Sequence, residues 1–268
     1  MTCELEGNVV SISYSCETDT YLLGCHSGSI YIYNAGNDEL KMLRECEGDL
    51  ERVEFVDSTF YAFSFSDSRQ ICIGRFDHGN VYEFGLQNSD LTYFHHLSKR
   101  NLLLSSFDDG FVRLSCTNRL PNLQALCSIQ AEQAGQWVVA IQSIYVSGKE
   151  YIITSSRDET VKIWHLVKGR MRLLRVIHTK GIVSSFVYLD NYKILAVAIS
   201  CDGSDHIDFF KLFSGTLEDN FYFFQGTIQN LFLMKDKDMI GGIGRLGGMK
   251  HNSIRFISLH NQNQETFD

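Results

Sequence analysis

Proline is almost missing: Pro121 is the one proline in 268 residues. That excludes proline-rich linkers and any collagen-like segment. Tryptophan is scarce too, with two residues, against 19 phenylalanines and 12 tyrosines. Such a bias favours strands over helical bundles, which draw on Ala, Leu, Glu and Lys. No run approaches the roughly 18 apolar residues of a membrane span. Residues 1–7 carry two acids, Glu4 and Glu6, where a secretory leader needs bases and an apolar core. The eight cysteines (3, 16, 25, 46, 72, 116, 127 and 201) include no Cys-x-x-Cys pair and no Cys/His ligand spacing, and no Asn-x-Ser/Thr sequon is present. The expectation is an intracellular chain, cytoplasmic or nuclear, with reduced and mostly buried thiols. At 44% hydrophobic and 21% charged residues, it is too apolar to be disordered.

What the chain does have is an internal repeat. Its clearest copy is residues 150–165, EYIITSSRDETVKIWH. This reads as a strand, a tight polar turn at Arg157-Asp158-Glu159, and a second strand ending at Trp164. The alternation Val161/Lys162/Ile163 is the period of a sheet with one buried face. Weaker copies place Tyr33, Gly74, Ser115, Phe210 and Ile257 in the position of Trp164.

Residues 150–165 resemble a WD40 repeat, and the slot spacing is close to the roughly 40–45 residues of one four-stranded propeller blade. The resemblance implies an all-β fold: a single β-propeller over residues 1–260, with a polar tail at 261–268. Six four-stranded blades are expected. In the fourth, the strands fall at 137–146, 151–155, 161–165 and 171–177. The sixth lacks an outer strand of its own, and residues 2–7 are the spare strand that would close the ring. The family's buried His, Ser, Asp and Trp tetrad is incomplete. The fourth blade has Ser155, Asp158 and Trp164 without the His, and the fifth has His178 with Phe210 in the slot.

No catalytic constellation is legible. Residues 242–247, GIGRLG, fit the dinucleotide fingerprint in letters, but a strand rather than a helix follows. His95 and His96 are adjacent on a strand and point to opposite faces, so they do not share a metal. Asp202, Asp205 and Asp208 fall short of the oxygen set that calcium requires. The reading is therefore not an enzyme, with no catalytic, cofactor or metal residues and no cofactor.

Charge says more. Residues 1–150 hold 10 bases and 20 acids, whereas residues 157–180 hold seven bases and two acids. Arg170 and Arg172 alternate around Met171 on the predicted outer strand and share a face. Arg175 takes the other parity unless a bulge intervenes. Solvated edge charges that block strand aggregation would look alike. The functional reading is a docking patch for a protein with an acidic or phosphorylated segment. RNA backbone also fits such a patch, but a net charge of −8 argues against general nucleic-acid binding.

By the family resemblance, one rim carries His26, Asp67, Arg69, Asp109, Arg157, Asp158, His178, Lys180 and Arg245, where relatives hold peptides or partner domains. Residues 221–224, FYFF, read as an outer strand with apolar residues of both parities. The function implied is a non-catalytic scaffold or adaptor binding proteins in a larger complex. One alternative is a substrate-recognition subunit of a ubiquitin ligase, although Trp164-His165-Leu166-Val167 stands where such propellers carry a Trp-Asp-x-Arg box. A propeller enzyme or a phosphoinositide-binding propeller is another, without the Phe-Arg-Arg-Gly signature of the latter. A partner strand or blade that completes the ring is a further expectation.

Overall fold

A computed structural model of the chain describes residues 8–15, 18–66, 68–85, 89–97, 100–120, 122–131, 136–201, 205–221, 226–234, 239–246 and 252–258. It divides into two compact units, Met1–Ile129 and Gln130–Asp268. The first holds three four-stranded sheets. These are β1 (Val9–Ser15), β2 (Thr20–Cys25), β3 (Ser29–Asn34) and β4 (Glu39–Glu45); β5 (Leu50–Phe55), β6 (Phe60–Phe65), β7 (Gln70–Arg75) and β8 (Val81–Gly85); and β9 (Leu91–Leu97), β10 (Leu102–Phe107), β11 (Phe111–Cys116) and β12 (Gln124–Gln130).

The second unit holds two more four-stranded sheets and a three-stranded one. The fourth sheet is β13 (Val138–Val146), β14 (Lys149–Ser156), β15 (Thr160–Val167) and β16 (Arg170–His178). The fifth is β17 (Ile182–Leu189), β18 (Ile194–Ser200), β19 (His206–Lys211) and β20 (Leu217–Phe221). The sixth is β21 (Gly226–Met234), β22 (Met239–Leu246) and β23 (Asn252–Ser258). In every sheet, strands consecutive in sequence are neighbours, so each sheet is a meander of local hairpins.

Turn chemistry explains the hairpins. Lys168 and Gly169, between β15 and β16, both take positive φ, at 50° and 73°. That is the two-residue type I′ turn whose twist matches the flanking strands, and glycine is at ease in its second position. Ser147-Gly148 repeats the device between β13 and β14.

Apolar packing between neighbouring sheets supplies the cores. Leu22, Ile30, Leu50, Val53, Tyr61 and Phe63 join the first and second sheets. Ala62, Ile71, Ile73, Phe94, Leu103 and Phe107 join the second and third. In the second unit Val187, Ala196, Ile207, Ile228, Leu231 and Ile240 join the fifth and sixth. Fully burying one such Phe or Leu contributes about 1.5–3 kcal/mol.

A polar link recurs between the first strands of adjacent sheets, where a side chain on one strand satisfies a buried N–H of the next. Val53 N–H donates to Ser11 Oγ at 3.1 Å, and that hydroxyl donates to the Val53 carbonyl at 3.2 Å. His96 N–H donates to Glu54 Oε1 at 3.2 Å. In the second unit Leu231 N–H donates to Ser185 Oγ at 3.1 Å.

Five sheets have four strands and the sixth has three among the described residues, in place of six four-stranded blades; that the sixth has no outer strand of its own before Ser258 agrees with the sequence reading. The candidate closing strand at 2–7 and the tail at 261–268 lie outside the described residues. In the fifth sheet the outer strand is Leu217–Phe221, earlier than the FYFF reading, whose last three residues also lie outside. In the fourth sheet, where the tetrad letters were incomplete, Trp164 Nε1–H donates to Thr154 Oγ1 at 3.0 Å, and Asp158 accepts from Thr160 within its own turn.

Gly74 in the tryptophan position has a structural cause. It pairs with Tyr61 on β6, whose ring occupies the space that a Cβ at 74 would need. The aromatic ring is supplied by the neighbouring strand.

Candidate functional site

Most of the charged turn residues satisfy their own turns. In the first unit Arg69 Nε–H donates to Asp90 Oδ1 at 2.8 Å, in the open. Asp109 accepts from Phe111 N–H at 3.0 Å, Arg113 at 2.6 Å and Ser89 Oγ at 2.9 Å. Partial burial raises the Asp109 pKa, but those donors outweigh it and hold the carboxyl below its ordinary range. His26 faces Asp49 at 3.7 Å, and Asp67 lies outside the described residues.

In the second unit Asp158 accepts from Thr160 N–H at 3.0 Å and Thr160 Oγ1–H at 2.6 Å. It also pairs with Lys162 at 3.1 Å. Asp158 thereby forms the Asx turn that starts β15. Arg157 lies 4.2 Å over the Trp137 ring, a cation–π contact. His178 and Lys180 are exposed. Arg245 lies near the end of β22, which runs to Leu246, and it pairs with Asn252 at the last rung of the ladder.

Several residues weighed for other chemistries are engaged within the sheets, while Asp202 and Gly247 lie outside the described residues. Gly242 and Gly244 lie within β22, paired to Arg255 and Ser253, so the phosphate-cradling turn is not formed there. His95 Nδ1 meets Glu54 Oε1 at 2.6 Å, while His96 Nε2 sits 3.3 Å from Thr117 Oγ1. Asp205 caps the Ile228 amide, and Asp208 lies 3.3 Å from His206.

One group of predicted residues is brought together. On β16 the register to β15 shifts between Ile163 and Trp164. Arg170 pairs with Val167, Arg172 with His165, Leu173 with Trp164 and Arg175 with Ile163. Leu174 is therefore the extra residue of a β-bulge. Cross-strand partners share a face, and positions 163, 165 and 167 alternate onto a single one. The bulge thus returns Arg175 to the face of Arg170 and Arg172.

All three arginines are exposed. Among the described residues none of their side chains has an ion pair or hydrogen bond. The contrast with Arg44 is direct. It takes the position of Arg175 after a like bulge on β4, but is bound to Tyr61 Oη and the Gly79 carbonyl.

The face has an aromatic floor. His165 stacks on Tyr151 at 5.2 Å, and Tyr151 meets Phe213 edge-on at 5.1 Å. Phe213, from the β19–β20 turn, is 44% exposed. In the same turn, Gly215 lies beside the stems of Arg175 and Ile177. On the other face, Leu173 pairs with Trp164 and is 44% exposed, and the bulge residue Leu174 is 45% exposed. The bulge was the piece that sequence reading could not place.

The geometry is that of a β-propeller, and comparison with known proteins bears on that alone. The β-propeller domain of Myceliophteria thermophila Cps50 (Swd1) superimposes with a TM-score of 0.77 at 10% identity, over 94% of this chain and 84% of that one. The computationally designed Ika8 protein superimposes with a TM-score of 0.61 at 16% identity, over 93% of this chain and 71% of that one. The fold class is an all-β single β-propeller. No protein-family model matches the sequence. A stretch of 61 residues, 22% of the chain, is 36% identical to the Ribosome biogenesis protein BOP1 homolog of Drosophila ananassae, of which it covers 7%. No helix among the described residues is long and apolar enough to cross a membrane.

Proposed function

We propose that this chain is a degenerate WD40-type propeller. In this reading it works in the cytoplasm or nucleus as a non-catalytic scaffold, and binds an acidic or phosphorylated segment of a partner protein. The fourth sheet is the docking element. The observation that carries the reading is the set of three exposed, unpaired arginines that the bulge aligns on one face of β16. Elsewhere Arg52, Arg75 and Lys193 have carboxylate partners. Cations held without internal partners are available to an external one, and a basic patch speeds encounter with acidic ligands. Arg157, His178 and Lys180 extend the patch at the turn end of the same sheet. The WD40-type assignment rests on residues 150–165 and the sixfold recurrence. Residues 2–7, or a partner strand, are the proposed fourth strand of the sixth sheet.

The test is to purify the tagged full chain from its native cells with nuclease present, beside a copy carrying R170E, R172E and R175E. The expected result is a stoichiometric acidic protein that accompanies the first and is lost from the second. Turnover of a small substrate, abolished by a point change at a clustered acid or histidine, would overturn the non-catalytic reading. The same partner held equally by both copies would remove the arginine face as its site.

A further inference from the structure

We infer that the arginine face binds its partner by strand addition: an extended segment with Asp or Glu at every second position pairs along the free edge of β16. This rests on the docking reading above and adds the mode and the sequence pattern of the ligand.

The argument starts from the period. Side chains on one face of a strand repeat every two residues, about 7 Å. Arg170 and Arg172 have that spacing directly. Arg172 and Arg175 are three residues apart, but their partners His165 and Ile163 are two apart. The bulge therefore restores the same repeat of about 7 Å. Three cations at that interval match carboxylates at positions i, i+2 and i+4 of an extended chain, each facing an arginine as a cross-strand neighbour.

The edge itself is available. β16 is the last strand of its sheet, with β15 on one side and no strand of the described residues on the other. Its outward backbone groups form the template that strand addition uses. β15 already passes the bulge with one residue opposite two, so an added strand can do likewise. Residues between the acids would fall on the opposite face, beside exposed Leu173. They should accordingly be apolar, which gives the ligand an acid/apolar alternation.

Edge charge also prevents unwanted pairing, and the two roles agree. Three arginines repel a second copy of β16 and admit a strand of opposite sign. Single-stranded RNA could meet the cations, but it has no amide backbone to pair with an open sheet edge. An alternating acidic peptide uses both features of the site.

The experiment uses the full-length protein and three synthetic peptides of one composition, followed by fluorescence anisotropy. The first alternates Glu with Val. The second groups the same residues in an acidic block and an apolar block. The third is the first with N-methyl groups on the amides that would face β16. The expected result is that the alternating peptide binds at least about tenfold more tightly than the block peptide, and that N-methylation removes that advantage. R172Q should weaken the alternating peptide by about fivefold and the block peptide less.

Equal binding of all three peptides, sensitive to salt and to R172Q, would overturn strand addition while leaving acidic docking intact. No binding by any peptide, with oligouridylate bound at the same arginines, would overturn both and assign the face to RNA.

Discussion

Glu54 gives the most demanding test of how the first unit is held together. Its carboxylate lies between the second and third sheets with its side chain 11% exposed. It accepts from His96 N–H, meets His95 Nδ1 at 2.6 Å and lies 3.6 Å from Arg52 Nη2 of the guanidinium. Glu54→Ala leaves the His96 amide without its acceptor, at about 1–3 kcal/mol, and breaks a mostly buried ion pair, at about 3–5 kcal/mol when nothing else holds the cation. Arg52 keeps the Phe94 carbonyl at 2.8 Å and the Tyr93 ring at 3.8 Å, so the lower end applies and the total should be about 3–4 kcal/mol. Glu54→Gln keeps an acceptor oxygen and should cost about 1–2 kcal/mol.

The pH dependence carries a sign. Burial pushes the Glu54 carboxyl upward, but His95, Arg52 and the His96 amide outweigh it and hold it below the ordinary 4.5. A lowered carboxylate stabilises the fold above its unfolded pKa, and that stability is lost as pH falls through the folded one. Wild type and Glu54→Ala should therefore differ fully near about pH 7, and the difference should shrink as the pH falls below about 4.5. Urea unfolding at a series of pH values measures this. A difference under about 1 kcal/mol near neutrality, or one that does not shrink in acid, would refute the account.

Four shorter expectations follow from other contacts. Burial lowers the His96 pKa from 6.5, so its neutral ring stabilises the fold above that value and the contribution declines as pH drops below it; His96→Gln should flatten that part of the urea series. Gly74→Ala forces a methyl group into the Tyr61 ring and should cost about 1–3 kcal/mol; thermal unfolding reads it, and Tyr61→Leu should relieve the clash in the double variant. Thr154→Val leaves the buried Trp164 Nε1–H without its acceptor, at about 1–3 kcal/mol, whereas Thr154→Ser keeps the acceptor and should cost only its buried methyl, about 0.8 kcal/mol, by the same measurement. Burial and neighbouring Glu83 raise the Cys72 thiol to about 12, so it should resist alkylation until the protein unfolds, as mass spectrometry of iodoacetamide-treated native and denatured samples would show.

The repeat was legible because hairpins are local. The alternation around Val161–Trp164 and the polar turn before it are set by residues close in sequence, and the fourth sheet's strands fall within a residue or two of their expected ends on most sides. Where the letters departed from the family pattern, the reason lay across a strand pair. Gly74 looks like a lost aromatic until Tyr61 is seen to fill its space. Ser155 and Trp164 both carry the family's letters, but the register opposes Trp164 to Ile152 on β14 and its indole reaches Thr154. Contacts that depend on register are beyond what a linear pattern specifies.

Arg175 shows the same limit at the candidate site, where it matters for function. Counting by twos from Arg170 puts it on the face opposite Arg172, which would split the basic patch into two cations and one. A bulge leaves no consistent letter behind: Leu43 on β4 and Glu218 on β20 hold the extra place in the first and fifth sheets, and Leu174 holds it here. Once that residue is set aside, the arginines return to one face, each a two-residue step from the next. The feature that makes this edge irregular is thus the one that makes its charge regular. An exchange of neighbours should expose the dependence: R175V with V176R moves the third cation to position 176, which pairs with Lys162 on the opposite face, while leaving the sequence charge unchanged. If the arginine face acts as a unit, that exchange should weaken the alternating acidic peptide about as much as Arg175→Gln does, within a factor of about two; if charge alone matters, it should leave binding unchanged.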